Sequence, residues 1–326
     1  MMPSDRPADS SDAARSGQPH PTDTPEEPTT VSAPPLAFGM GNPTADCIAD
    51  SAGGLTFDLD APEHSGTADH WSAALVLRRR AGAADEGEEA EEIRLPLTPN
   101  GDGRLRAVLP STVALPEGRW DVHVAQGDEE PVRLVPGLLD LRSLVDRRPG
   151  PSTSPLAVRI PYATKHGNLS LRSWLRGPHA EAGDLLLDDD ALTVHGVLYR
   201  VEDPEAWLAD AVVEARCRRD ADLVATVPLT ADGADFTFTL PYAELSAEWR
   251  GGLDVWDLTL RRPEAADDKD PVRIARILDD VVDKQQIFAY PPRAIDTPYA
   301  AAQAGPYYTA DNDLSVRIDE RPPAAR

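Results

Sequence analysis

One arrangement of residues in this chain is written twice, in the same order. Leu95-Pro96-Leu97-Thr98 recurs as Val227-Pro228-Leu229-Thr230, and a turn follows each, Asn100-Gly101 and Asp232-Gly233. Leu105, Ala107, Leu109 and Pro110 are mirrored by Phe236, Phe238, Leu240 and Pro241. Trp120-Asp121-Val122 returns as Trp256-Asp257-Leu258, Pro131-Val132-Arg133 as Pro271-Val272-Arg273, and Val145-Asp146 as Val282-Asp283. Finally Pro161-Tyr162-Ala163-Thr164, leading to Leu169-Ser170-Leu171-Arg172, matches Pro306-Tyr307-Tyr308-Thr309, leading to Leu314-Ser315-Val316-Arg317. A repeat this long restricts the chain to two copies of one structural unit.

The repeated unit is built from short segments in which apolar and polar residues alternate, separated by Gly, Pro, Asp and Asn, which is the strand signal. The first copy offers strands at 54–60, 72–79, 92–97, 103–109, 119–125, 131–135 and 168–174. The second offers them at 191–199, 211–219, 223–229, 235–241, 253–260, 271–277 and 313–318. Seven short strands in such a length fit an all-β fold, two tandem immunoglobulin-like β-sandwiches. The alternation puts Trp120, Val122 and Val124 on one face and Asp121 and His123 on the other. Helical periodicity is confined to Asp203–Asp210, Leu138–Val145 and the counterpart Ile274–Val282. The Pro-Tyr-x-Thr segment could open a unit or close one. Because an opening strand at the end of the chain would leave a bare edge, it is expected to close each unit.

Residues 1–35 carry eight prolines and no Leu, Ile, Phe, Tyr or Trp, too little apolar surface to offset chain entropy. The expected layout is therefore a disordered Pro-rich acidic tail over 1–45, a first sandwich over 46–178, and a second over 179–326 with an aromatic loop at 285–308. The formal charge of −24 disfavours binding to nucleic acid or to anionic membranes. No apolar run is long enough to span a bilayer, and the N-terminus lacks a signal-peptide core. Cys47 and Cys217 are too few for a disulfide framework, so a cytoplasmic location is expected.

The segments IPYATKHGNLSLRSW (160–174) and GPHAEAGDLLLDDDALTVHGVLY (177–199) resemble the β-sandwich repeats that accompany actinobacterial cell-surface-polymer glycosyltransferases and polyol-phosphate transferases. The alternating strands and long helices of a catalytic α/β domain are missing here. The resemblance implies an accessory protein of polymer or glycan assembly.

Motifs that carry chemistry are sparse. Neither dinucleotide nor phosphate-loop glycine spacing occurs, nor G-x-S-x-G, H-E-x-x-H or C-x-x-C, so no catalytic residue, metal site or cofactor is assigned. Asp188-Asp189-Asp190 and Asp311-Asn312-Asp313 read as turn formers rather than a calcium loop. The acidic run from Asp85 to Glu92 reads as a solvated loop. Aromatic rings on a proline-rich segment can stack on sugars or anchor a protein, which nominates Phe288, Tyr290, Tyr299 and Tyr308 as binding residues, with Trp174 and His179 as a second group. The function expected is a non-catalytic binding or scaffold protein whose partner is a protein or a glycan polymer. The alternative is a glycosyl or polyol-phosphate transferase with an unrecognised site.

Overall fold

The computed structural model describes residues 42–60, 73–81, 91–101, 103–127, 130–262 and 271–321. Most of the tail expected over 1–45, Asp85 to Ala90 of the acidic run, and the termini lie outside the described residues. The remainder is β-sheet with two short helices, as the period-two pattern requires.

The first half of the chain contains β1 (Thr44–Ala49), β2 (Leu55–Asp60), β3 (Ala73–Arg79), β4 (Glu92–Pro96), β5 (Thr98–Pro99), β6 (Arg104–Leu109), β7 (Gly118–Gln126), β8 (Val132–Arg133), β9 (Val135–Asp140), β10 (Leu156–Ala163) and β11 (Leu169–Arg176). One sheet runs β5-β6-β2-β1-β9 and the other β10-β11-β7-β3-β4, with β8 also on β7. The second half contains β12 (His179–Leu187), β13 (Ala191–Tyr199), α1 (Pro204–Ala209), β14 (Val212–Cys217), β15 (Val224–Asp232), β16 (Asp235–Pro241), α2 (Tyr242–Ser246), β17 (Asp254–Arg261), β18 (Val272–Ala275), β19 (Arg293–Asp296), β20 (Ala301–Tyr308) and β21 (Leu314–Glu320).

The two halves repeat one another pairing by pairing. On one side of β7 lies β3, and on its other side β11 takes Gly118–Asp121 while β8 takes His123 and Val124. Around β17 the same places are filled by β14, by β21 opposite Asp254–Asp257, and by β18 opposite Thr259 and Leu260. In both halves a single run of chain crosses from one sheet to the other after a proline. β4 pairs with β3 up to Pro96, and β5 then joins β6; β15 pairs with β14 up to Pro228 and with β16 from Leu229. Proline has no N–H to continue the ladder, which is why the switch falls there. A second crossing sends Val132–Arg133 to β7 and Val135–Asp140 to a parallel pairing with β1; Val272–Arg273 joins β17 and Ile274–Ala275 runs parallel to β12. These crossings stitch each pair of sheets together at both sides.

The inward faces form two separate cores. Trp120, Phe57, Leu75 and Leu171 sit in the first, and Trp256, Phe236, Leu258 and Val316 in the second. Burial of such faces is worth roughly 25 cal/mol per Å2 removed from water.

Several elements differ from the expectation. Strands β1, β5, β9, β10, β12, β19 and β20 lie outside the expected ranges, and half of the aromatic segment 285–308 is β19 and β20 rather than loop. Leu138–Val145 is the end of β9 followed by a 3-10 turn at Arg142–Leu144, and its counterpart is the end of β18 and a connector. The parallel pairing with β1 holds the first stretch extended, and Gly137 permits the close approach, since a Cβ there would lie 2.2 Å from Asp46 Oδ1. The helix expected over 203–210 is α1, capped by Asp203, whose Oδ1 accepts from Ala206 N at 3.0 Å, with Pro204 in the first turn.

Candidate functional site

The β10–β11 hairpin and the β20–β21 hairpin end in the same turn. Thr164 N donates to Asn168 O and Gly167 N to Thr164 O, and Thr164 Oγ1 accepts from His166 N and Asn168 N. Thr309 N donates to Asp313 O and Asn312 N to Thr309 O, and Thr309 Oγ1 accepts from Asp311 N and Asp313 N. Gly167 and Asn312 supply the left-handed residue that the turn needs, with φ of 77° and 61°. The backbone device is thus set by Thr and by Gly or Asn, and the two positions after Thr are free to differ. They carry Lys165 and His166 in the first turn, Ala310 and Asp311 in the second.

The second turn seats on the first half. Arg172 Nη2 donates to Asp311 Oδ1 at 2.7 Å, Trp174 Nε1 to Asp311 O at 2.9 Å, and Arg119 Nη2 to Ala310 O at 3.0 Å. Arg176 and Arg273 both pair with Asp313 and with Glu117. The side chains of Arg172 and Arg176 are only 6% and 5% exposed, so these acids meet cations that have little water. Arg172 also lies over the Trp174 ring, 4.9 Å from its centroid.

Beside this contact opens a cleft of about 950 Å3, lined on the first half by Arg80, Arg119, Arg133, Arg172, Lys165 and His166, with Tyr162. Its opposite wall is Asp280, Asp283, Gln286 and Ile287. A smaller cavity of about 390 Å3 shares Arg80, Arg119 and Arg172 with it and adds Arg79 and Arg273. Arg119 and Arg172 face each other directly across the β7–β11 ladder. Like charges so placed repel. Burial is the main cause that lowers the Arg172 pKa, and Arg119 adds to it against the pull of Asp311.

The repeat separates structural cations from free ones. Arg80 and Ser170 both bond Asp121, as Arg218 and Ser315 bond Asp257, so this trio belongs to the fold. Burial works to raise the Asp121 pKa, yet Arg80, Arg133 and Ser170 hold it below the ordinary carboxylate value. Arg119 corresponds to Val255 and Lys165 to Ala310, so neither is required by the unit. Lys165 and His166 are exposed.

The residues nominated from sequence are scattered. Trp174, His179 and Tyr308 have no exposed surface. Trp174 serves the contact between halves, and His179 Nε2 bonds Glu181 Oε2, a carboxylate that also accepts from Ile277 N and Leu278 N. Tyr308 is interior because β20 is a strand, and Phe288 and Tyr290, half-buried, pack on its ring at centroid distances of 5.9 and 6.4 Å. Tyr299 is 59% exposed and leans edge-on against Trp249. None of the six lines the cleft. The cleft residues were passed over because their common feature is position relative to the partner half. Non-identity of Lys165-His166 and Ala310-Asp311 inside an otherwise matched segment was the one signal available to sequence reading. Among the described residues, no group of three or more His, Cys, Asp and Glu side chains is placed to hold a metal ion, and no helix is long and apolar enough to cross a membrane.

No protein-family model and no curated protein matches the chain. Among solved structures it is similar to two of S. aureus TarS. A crystal structure of TarS residues 217–571 aligns at 15% identity and a TM-score of 0.27, over 62% of this chain and 56% of that one. A second TarS structure aligns at 15% identity and a TM-score of 0.27, over 61% of this chain and 35% of the other.

Proposed function

We propose that this protein is a non-catalytic binding protein of two sandwiches, 46–178 and 179–326, that works in the cytoplasm beside enzymes of cell-surface polymer or glycan assembly and holds an anionic polymer chain in the cleft. The observation that carries the reading is the cationic lining. On a chain with a formal charge of −24, one concavity gathers Arg80, Arg119, Arg133, Arg172 and Lys165 against Asp121, Asp280 and Asp283, a surplus of positive charge. Among the described residues Arg119 and Lys165 make no ion pair, and neither recurs in the second copy; Lys165 is exposed and available to a ligand, whereas Arg119 also donates to Ala310 O. Guanidinium and ammonium groups hold oxyanions, and a volume of about 950 Å3 suits a segment of polymer rather than a small ion. The resemblance of residues 160–199 to polymer-enzyme sandwiches supplies the setting.

Isothermal titration calorimetry with a soluble polyol-phosphate oligomer, and neutral dextran as control, tests the reading. The oligomer is expected to bind, with affinity falling as salt is raised. Lys165→Glu combined with His166→Ala should weaken binding at least tenfold, about 1.4 kcal/mol, and leave the melting temperature unchanged. Equal binding of dextran, or wild-type affinity in the double variant, would reject it.

A further inference from the structure

The contact between the halves has a vacant equivalent. In the first half, the face made by β7 and β11 receives the acidic turn of the second half: Asp311 on Arg172, Asp313 on Arg176. Strand register assigns each of these positions a counterpart on β17 and β21, with Ser173 and Gly118 corresponding to Ile318 and Asp254. Arg172 becomes Arg317 and Arg176 becomes Arg321, so both turn-binding arginines recur. Arg317 and Arg321 are exposed and make no ion pair among the described residues. Glu117 becomes Leu253, an apolar side chain left 60% exposed at the same rim. Trp174 becomes Asp319, whose Oδ1 is buried with no hydrogen-bond partner. In the first half the corresponding Trp174 atom is satisfied by the docked turn.

From this correspondence we infer that the β17–β21 face of the second half is a docking site for a third sandwich-like unit, on a partner protein, that presents an acidic Thr-x-Asp-x-Asp turn. The two carboxylates would lie on Arg317 and Arg321, and the turn's apolar flank on Leu253. The chemistry of the occupant is the one that this molecule already uses within itself. A second copy of this chain is the wrong occupant, because its exposed turn carries Lys165 and His166 where the docked turn carries Ala310 and Asp311. Stacking copies would bring Lys165 and His166 against Arg317. That charge stops an open, head-to-tail contact, which otherwise extends without limit.

The stop can be removed. Lys165→Ala, His166→Asp, Gly167→Asn and Asn168→Asp together write the sequence of the docked turn into the exposed one, on a backbone that is already the same. The wild-type chain is expected to sediment as a monomer up to hundreds of micromolar. The four-fold variant should form chains whose mean mass rises with concentration, and adding Arg317→Glu and Arg321→Glu should return it to a monomer. A four-fold variant that folds, by circular dichroism, yet stays monomeric would overturn the inference, as would chains that survive the two charge reversals. Should the variant misfold, a cyclic peptide of residues 309–313 titrated into the wild-type chain gives the same decision. Binding must be lost with Arg317→Glu and Arg321→Glu, and no binding, or binding indifferent to them, refutes the site.

Discussion

At the scale of single residues, the repeat shows which charges the fold requires. Asp121 and Asp257 sit at matching places, each held by an arginine from the neighbouring strand end and a serine hydroxyl across the ladder. Asp58 is gripped by the Arg106 fork at 2.7 Å on each oxygen, and those bonds, against the effect of burial, keep its carboxyl below the usual range. Both Asp58 and Asp121 therefore bind protons more weakly in the folded state than in the unfolded one, where a value of about 3.9 applies. Their contribution is present above about pH 4 and is lost as the pH falls through the lower folded values. Urea midpoints measured from pH 7 to pH 2 should fall steeply below pH 4 in the wild type. Asp58→Asn with Asp121→Asn should lower the midpoint at pH 7 and flatten the acid limb, and an acid limb of wild-type slope would count against this account.

At the scale of elements, the proline-to-aromatic stretch after Lys284 shows how pairing overrides composition. Its prolines and rings suggest an exposed loop, but β19 and β20 extend the sheet from β21 and turn Tyr308 inward. The stretch is also fastened from its start: Lys284, with no exposed surface, donates to Asp279 and to Val281 O, and its backbone N–H donates to Asn312 Oδ1. Tyr308→Ala should cost about 3–5 kcal/mol in guanidinium denaturation, in the range for emptying an aromatic site in a core. Tyr299→Ala should cost no more than about 1 kcal/mol, since its ring has only Trp249 and the rim at Gly251 beside it. Equal losses for the two would show that Tyr308 is not part of the core. The sheet-crossing strands tell the opposite story, because the prolines that mark the switch, Pro96 and Pro228, stand in plain view in the repeated motif. Strand β9 shows no inside-outside alternation, because none of its residues is buried, and it is a strand only through its parallel pairing with β1, a relation without local pattern.

At the scale of the whole molecule, the two halves are joined by an electrostatic contact beside an apolar one. Asp311 and Asp313 reach Arg172, Arg176 and Arg273, and the first core extends onto Ala275, Ile277 and Leu278. Asp311→Ala with Asp313→Ala should weaken the coupling by about 2 kcal/mol, less than a fully buried pair because Asp311 is half exposed. Calorimetry should then resolve a broadened or split transition where the wild type gives one, and a single unshifted peak would assign the coupling to the apolar contacts. The amino-acid sequence by itself determined the class of fold and its duplication, since alternation of period two and a repeated order of motifs are local properties carried by every residue of a strand. It also contained the difference between Lys165-His166 and Ala310-Asp311. Only the tertiary structure decided what that difference does, by bringing residues 139 positions apart into one ion pair, Arg172 with Asp311, and by opening a cleft beside it. The reason is physical: an arginine is a surface cation or a ligand-binding group according to what lies across from it, and nothing in its neighbours along the chain records that.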